Sequence, residues 1–190
     1  MKTTIALSVL TLVCVSGSLT THGSGSGQPG ATPSFIPTGS TAIAGEPEQS
    51  CDGKTIGFWG NPNGEALIEA GNFLEVLPSL HLVDELGMPF VTHDFDVFED
   101  WLQHANAVNM AYMLSAQLVA MQFNVMSGKV DERCVMRTPL GEMPVNRLIQ
   151  LAIQALIKDG YTPPGDHNRR RQEILKDLLD AANNNQIWSA

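Results

Sequence analysis

The sequence predicts a mainly α-helical protein, with one compact helical domain packed around a buried central helix. Apolar residues recur at helical spacing in several segments of the chain after residue 63. Residues that suit helix ends flank most of these segments. No charged residue occurs between Asp100 and Lys129, so the helix predicted over residues 107–127 is apolar on nearly every side, as a central helix is. Only residues 55–59 favour an extended conformation.

The first 50 residues predict export rather than a folded core. Lys2, an apolar run of about 11 residues from Ile5 to Val15, and small residues at 16–18 form the pattern of a secretory signal peptide. That run is too short to cross the apolar core of a bilayer, which is about 30 Å thick. We expect cleavage after residue 17, or at the latest after residue 23. Residues 18–50 are rich in Gly, Ser, Thr and Pro and are expected to form a flexible linker, which leaves 51–190 as the helical domain.

The charge balance argues against nucleic acid as a partner. The chain of 190 residues has 11 Lys and Arg against 20 Asp and Glu, a formal net charge of −9. Nucleic-acid binding gains much of its affinity from Lys and Arg that contact phosphates. The charges are also unevenly spread, because nine acidic residues and no Lys or Arg lie between Lys54 and Lys129. Residues 169–171 are three arginines at the start of a predicted helix, where the dipole disfavours cations. We expect the acidic first half to compensate them, with solvation as the alternative.

Two cysteines remain after the signal peptide is removed. Cys51 and Cys134 would then lie in an oxidising compartment, where a disulfide between them is the natural expectation. A metal pair or a reactive thiol is the alternative. It has less support, because neither cysteine has a second Cys or a His at the spacing of metal ligands.

Helix boundaries are predicted from caps, from Pro and Gly, and from the apolar spacing between them. The predicted assignments are Asn63 as the cap of 64–70, Asp94 as the cap of a helix carrying Val97, Phe98, Trp101 and Leu102, Asn106 as the cap of the central helix, Gly128 as its left-handed end, Pro144 in the first turn of 143–158, and Asp166 at the start of the last helix. The last helix is expected to carry Ile174, Leu175, Leu178 and Leu179 as its apolar residues, and to fray through residues 183–185.

Polar side chains on the central helix allow two interpretations. Asn109, Gln117 and Asn124 fall within about 80° of one another on a helical projection. Such amides make a transmembrane span costly, because each would need a hydrogen-bond partner in lipid. We expect a buried helix whose amides bond to the loops packed around it. The alternative is a ligand pocket lined by these amides.

One segment concentrates histidine and acidic side chains. His93, Asp96, Asp100 and His104 lie within twelve residues, and the last three are spaced one helical turn apart, so that they share a face. This set could hold a divalent cation, and no other cofactor is expected. The alternative is a solvated helix face. Common nucleophile elbows, phosphate loops and Cys-x-x-Cys pairs are absent from the sequence.

An aromatic motif stands at the start of the domain. Trp59 lies between Gly57 and Gly60, which suggests a tight backbone course that places the aromatic side chains against the core. An exposed Trp stacked on a sugar ring is the alternative. Asn61 follows two residues later and belongs to the same motif.

Three stretches together resemble a family of secreted bacterial domains. They are Thr-Ile-Gly-Phe-Trp-Gly-Asn-Pro-Asn-Gly at 55–64, the Asn-Met-Ala-Tyr-Met-Leu-Ser-Ala-Gln-Leu-Val-Ala-Met helix at 109–121 with Asn-Val-Met-Ser-Gly at 124–128, and Ala-Ala-Asn-Asn-Asn at 181–185. Domains of this family open on Gly-(Phe/Tyr)-Trp-x-Asn, and some are joined to surface-type repeat modules. The resemblance covers about 51–188 and implies export and a shared fold, without implying a reaction. Gly60 stands where related sequences often have Lys, and the family pattern does not include the His and Asp residues of 93–104.

The sequence therefore favours an exported, non-enzymatic structural or binding module with an unknown partner in the bacterial envelope or extracellular space. The alternative is a small secreted hydrolase or metal-binding protein that uses the cluster at 93–104.

Overall fold

A computed structural model describes residues 49–139 and 141–189 of the chain. The predicted signal peptide and nearly all of the predicted linker lie outside these residues. The elements in chain order are α1 (Ile56–Trp59), α2 (Pro62–Gly71), a 3-10 helix (Phe73–Val76), α3 (Leu77–Leu80), α4 (Phe95–Gln103), α5 (Met110–Met126), β1 (Val135–Thr138), β2 (Gly141–Pro144), α6 (Val145–Lys158) and α7 (Arg169–Asn183). The mainly α prediction is confirmed.

Helix α5 is the centre of the domain, as predicted. Its side chains are buried on all faces along most of its length, and α1, α3, α6 and α7 pack around it. Gly128 follows the helix with a φ of 70°, the left-handed conformation that glycine adopts at little cost. Among the described residues, no helix combines the length and apolar content needed to cross a membrane.

Three predicted helix starts are wrong by two or three residues. Asn109, not Asn106, caps α5, and its side chain accepts a hydrogen bond from the backbone N–H of Ala111. Asn106 instead accepts from Val108 N in a turn before the helix. Asn61, not Asn63, caps α2, because Pro62 is well suited to the first helical position. Helix α7 begins at 169 rather than at Asp166, whose carboxylate accepts from Asn168 N in the preceding turn.

Two further segments differ from their predicted conformation. Residues 56–59 of the segment predicted to be extended form the short helix α1; Thr55 keeps an extended backbone, and its carbonyl oxygen accepts from the N–H groups of Phe58 and Trp59. Met143 and Pro144 belong to strand β2, so α6 starts two residues later than predicted. Strand β2 pairs with β1 in an antiparallel hairpin that the helical spacing did not predict.

The predicted apolar face of α6 is buried, and that of α4 is buried except for Val97, which is 50% exposed. Phe98, Trp101 and Leu102 of α4 are buried, as are the five apolar residues predicted to share one face of α6: Leu148, Ile149, Ala152, Ala155 and Leu156. Asp94 caps α4 by accepting from Val97 N. On α7, Leu175 and Leu179 are buried, whereas Ile174 is exposed. The helix therefore buries a narrower stripe than the sequence suggested.

A disulfide fastens the start of the domain to the segment that follows α5. Cys51 and Cys134 are joined, as the sequence predicted, at a sequence separation of 83. Cys51 also forms an antiparallel bridge with Val130, and Ser50 O accepts from Asp131 N at 2.7 Å. Ser50 thus belongs to the folded unit, although it was assigned to the linker.

Backbone carbonyls, not the acidic first half, provide the partners of Arg169. Its guanidinium donates to the carbonyl oxygens of Ala107, Val108 and Thr162, and it also pairs with Glu173 one turn along α7. Glu173 accepts from Arg170 as well. The expected contact with acidic side chains of the first half is therefore wrong for these two arginines. The guanidinium of Arg169 therefore links the segment before α5 to the loop that follows α6.

Candidate functional site

The amides predicted to be structural or ligand-facing lie inside the domain. Asn124 of α5 is fully buried, and its side chain accepts from Lys54 N and donates to Lys54 O, both at 2.8 Å. The same amide donates to Asn183 of α7, whose own amide donates to the backbone and side-chain oxygens of Gln117. Gln117 in turn donates to Asp180. The predicted burial of these amides is confirmed; their partners, however, are Lys54 in a loop and Asn183 and Asp180 of helix α7, not loops alone.

The Asn run at 183–185 is ordered, contrary to the predicted fraying. Asn183 is 1% exposed within the amide network. Asn185 adopts a left-handed backbone, accepts from Gly53 N at 2.6 Å and donates to Gly53 O. Side-chain amides therefore hold residues 53 and 54 on both sides, much as a neighbouring strand would. A Cβ on Gly53 would lie 2.8 Å from Ala182 O, which explains why glycine occupies this position.

Asn109 performs the same structural role at the other end of α5. It is fully buried, accepts from Thr162 N and donates to the carbonyl oxygens of Asp84 and Gly160. The hydroxyl of Thr162 continues the network to Gln172 of α7. Asn109 therefore faces loops rather than a cavity. The alternative interpretation, a ligand pocket lined by the α5 amides, is wrong for Asn109.

Trp59 anchors the core and does not form a sugar-stacking platform. Its side chain is fully buried, and its ring centroid lies 5.5 Å from that of Phe123 and 6.3 Å from that of Phe73. Its indole Nε1 has no hydrogen-bond partner within the described ranges. Asn61 is the cap of α2 and also donates to Gly57 O. The aromatic motif is therefore a packing device.

The histidine and acidic side chains of 93–104 are dispersed over the surface. His104 Nδ1 lies 3.3 Å from Asp100 Oδ1, and both side chains are largely exposed. His93 points to Glu75 instead, with 3.2 Å between Nδ1 and Oε1. Asp96 is exposed in the first turn of α4. In the part of the chain that the structure describes, no three His, Cys, Asp or Glu side chains converge as a metal site would require.

His93 instead lines a surface cavity of about 250 Å³ between α2, the 3-10 helix and the start of α4. We call it the α2–α4 cavity. Its lining residues are Ile68, Glu69, Asn72, Leu74, Glu75, His93 and Phe95. Two backbone features build it. Asn72 adopts a left-handed conformation that ends α2 and turns the chain into the 3-10 helix. Asp94 caps α4, so that His93 precedes the cap and Phe95 begins the helix.

The walls of the α2–α4 cavity differ in chemistry. Ile68 and Leu74 are buried and form an apolar base, with Phe95 half-buried beside them. Glu69 and Glu75 are acidic, and Glu69 lies in the last turn of α2, where the helix dipole is negative. The lining therefore combines two acidic side chains with an apolar base.

Glu69, Asn72 and Glu75 were not singled out from the sequence. The cavity depends on a left-handed residue between two short helices, and no periodicity predicts that turn. One signal was present: Glu69 lies near a helix end that disfavours a carboxylate, in a stretch without Lys or Arg. Residues that break a local rule in this way often serve function.

Comparisons of this chain with protein-family models, curated proteins and solved structures found no match.

Proposed function

We propose that the protein is an exported, non-enzymatic structural or binding module of the bacterial envelope or extracellular space. The observation that carries the proposal is the Cys51–Cys134 disulfide, which joins the start of the domain to the segment that follows α5. Structural disulfides form and persist in oxidising compartments outside the cytoplasm. The signal-peptide pattern at 1–17 and the resemblance to secreted bacterial domains support the same location.

Binding is favoured over catalysis by where the polar groups are used. Asn109, Gln117 and Asn124 are occupied by contacts within the domain, and the histidines at 93 and 104 have separate acidic partners. The α2–α4 cavity offers accessible charged side chains above an apolar base. Such a surface suits recognition of a partner, and no activated nucleophile is among its lining residues.

Export and envelope association test this proposal. Residues 1–50 fused to a reporter enzyme that is active only outside the cytoplasm should give activity, and the same fusion without residues 1–23 should not. The chain recovered from the exported fraction should resist thiol labelling at Cys51 and Cys134 until a reductant is added. It should also associate with isolated cell envelopes. Cytoplasmic retention with both thiols free would contradict the proposal.

The alternative, a metal-binding protein or a small metal-dependent hydrolase, is tested separately. We expect the exported chain to contain no stoichiometric metal by inductively coupled plasma analysis. We also expect the melting temperature to remain unchanged in millimolar Ca²⁺ or Zn²⁺, because His93 and His104 lie in separate pairs rather than in one ligand set. One equivalent of bound metal that Asp100→Asn removes would instead support the alternative.

A further inference from the structure

The acidic side chains that line the α2–α4 cavity have no permanently charged cation in the neighbouring sequence. Glu69 stands in the last turn of α2, where carbonyl groups and the helix dipole already produce negative potential. Glu75 adds a second carboxylate from the 3-10 helix. The stretch between Lys54 and Lys129 contains no Lys or Arg, so the local sequence provides no permanent cation.

His93 compensates the negative charge of these carboxylates only weakly. Its ring lies 3.2 Å from Glu75, but both side chains are 72% exposed. Ion pairs with that much exposure contribute little, because water screens them and the side chains lose entropy on pairing. An incoming cation can therefore take the carboxylate of Glu75 at little cost.

The size and the apolar base of the cavity restrict the ligand. A volume of about 250 Å³ is below the range of about 300–1,000 Å³ that is typical of pockets for drug-sized molecules. It suits one side chain or one short alkyl group. Ile68 and Leu74 can cover a methylene stem while the carboxylates at the opening face a charged end.

We propose that the α2–α4 cavity binds an alkylammonium group, such as the side chain of a lysine on an envelope partner. The inference deepens the proposed binding function and rests on it. An organic cation is favoured over a metal ion, because no three metal-ligating side chains converge within the described residues. The ammonium lies between Glu69 and Glu75, and its methylene stem contacts Ile68 and Leu74.

Titration of the exported chain, followed by nuclear magnetic resonance, tests the site. The probes are Nα-acetyl-lysinamide and n-pentylamine, which share an alkylammonium but represent a protein side chain and a free amine respectively. Both should give saturable shifts at the amide signals of Asn72, Glu75 and His93, with millimolar affinity that weakens as salt is added. Nα,Nε-diacetyl-lysinamide has the same stem without the charge and should give none.

Three single variants give the matched comparison. Glu69→Gln and Glu75→Gln should each weaken probe binding about threefold or more, as expected for loss of one partly screened charge contact. Glu85→Gln removes the same charge from an exposed turn that does not line the cavity, and should bind like the parent chain. Glu69→Gln should also raise the melting temperature, because it removes a carboxylate from the negative end of α2.

The absence of saturable shifts with both amines would overturn the proposal. Equal shifts with the diacetylated probe, or affinities unchanged in both Glu69→Gln and Glu75→Gln, would do the same. If envelope association survives in both Glu69→Gln and Glu75→Gln, the proposed alkylammonium site is contradicted, whereas the proposed exported module is not. Loss of export or envelope association in the parent chain contradicts the proposed function, even where the isolated probes bind.

Discussion

Asn183 shows how a single side chain can reverse a prediction based on local propensity. Three consecutive asparagines are poor helix formers, so the sequence predicted a frayed end. In the structure Asn183 is the last residue of α7, and its amide bonds to Gln117 and Asn124 of α5. Buried amides that are fully paired stabilise the contact they join. Tertiary pairing therefore outweighs propensity, and no local pattern reveals those partners.

We expect Asn183→Ala to lower the free energy of unfolding by about 2 kcal/mol, because buried groups of Gln117 and Asn124 lose their partner. Asn184→Ala is the matched control. The Asn184 side chain is exposed, and its amide donates to Asp180 one turn earlier in the chain. That control should change stability by no more than about 0.5 kcal/mol. Urea denaturation measures both. Equal effects would contradict the buried network.

Tyr112 gives a prediction at alkaline pH. Burial raises its pKa from 10.0 to about 12, and its hydroxyl donates to the carbonyl oxygen of Trp101. Because the folded-state pKa lies above the unfolded value, the folded state retains the proton longer. The stability contribution is therefore complete below pH 10 and is lost as the pH rises from 10 to about 12.

Stability should accordingly fall between pH 10 and 12, and Tyr112→Phe should flatten that decline while costing about 1 kcal/mol at neutral pH through the lost hydrogen bond. Denaturant midpoints measured across this pH range test the first point. In a Tyr161→Phe background, absorbance at 295 nm should report ionisation of Tyr112 alone. An unchanged alkaline decline in Tyr112→Phe would show that another group is responsible.

At the scale of elements, the prediction located helices better than their ends. Apolar spacing predicted α4 and α6, and the lack of charged residues predicted α5. Their buried residues agree with these predictions except at Val97 of α4, which is exposed. Their boundaries were less certain because asparagine is common in this chain. Asn61, Asn63, Asn106 and Asn109 are all competent caps, and Pro62 and tertiary contacts decide which one is used.

The hairpin of β1 and β2 was missed for a different reason. Each strand has only four residues, and β2 is largely exposed. Such short segments cannot show the alternation that identifies a half-buried strand. Residues 187–189 also lie beside β1, where Arg137 N donates to Ile187 O and Ser189 N donates to Val135 O.

The contact between α1 and α2 depends on a glycine. A Cβ on Gly64 would lie 2.3 Å from Phe58 O and 2.7 Å from Trp59 Cα, so the two helices would have to separate. We expect Gly64→Ala to cost about 1–3 kcal/mol and to loosen the packing of Trp59. Gly57→Ala is the control, because its nearest atom would be 3.8 Å away. Thermal melts and Trp fluorescence compare the two. A neutral Gly64→Ala would contradict the close approach.

At the scale of the whole molecule, the disulfide is a major stabilising link. It closes a loop with a sequence separation of 83 residues, for which the chain-entropy model gives about 4.5 kcal/mol. We expect replacement of both cysteines by alanine to lower the free energy of unfolding by about 2–5 kcal/mol. Guanidinium denaturation should show the same loss when the parent chain is reduced. A loss below about 1 kcal/mol would show that the pairing of residues 50–52 with 129–131 holds this region alone.

The overall plan of the domain was predictable because it depends on local apolar spacing and on one uncharged helix. The α2–α4 cavity was not, because its walls come from three elements that meet only after Asn72 turns the chain. His93 was named from the sequence, but as part of a cluster that includes Asp96 and Asp100. The structure pairs it with Glu75, a residue 18 positions earlier in the chain.

The position of Cys51 has a mechanical consequence. Tension applied at residue 49 would pass through the disulfide to Cys134 before it could pull on Lys54 or Gly53. The side-chain amides of Asn124 and Asn185 that hold those two residues are thereby shielded from load. A module pulled through its linker would keep its hydrophobic core closed for as long as the disulfide survived. In a reducing environment the same force would act directly on residues 53 and 54 and would begin to unfold the domain there.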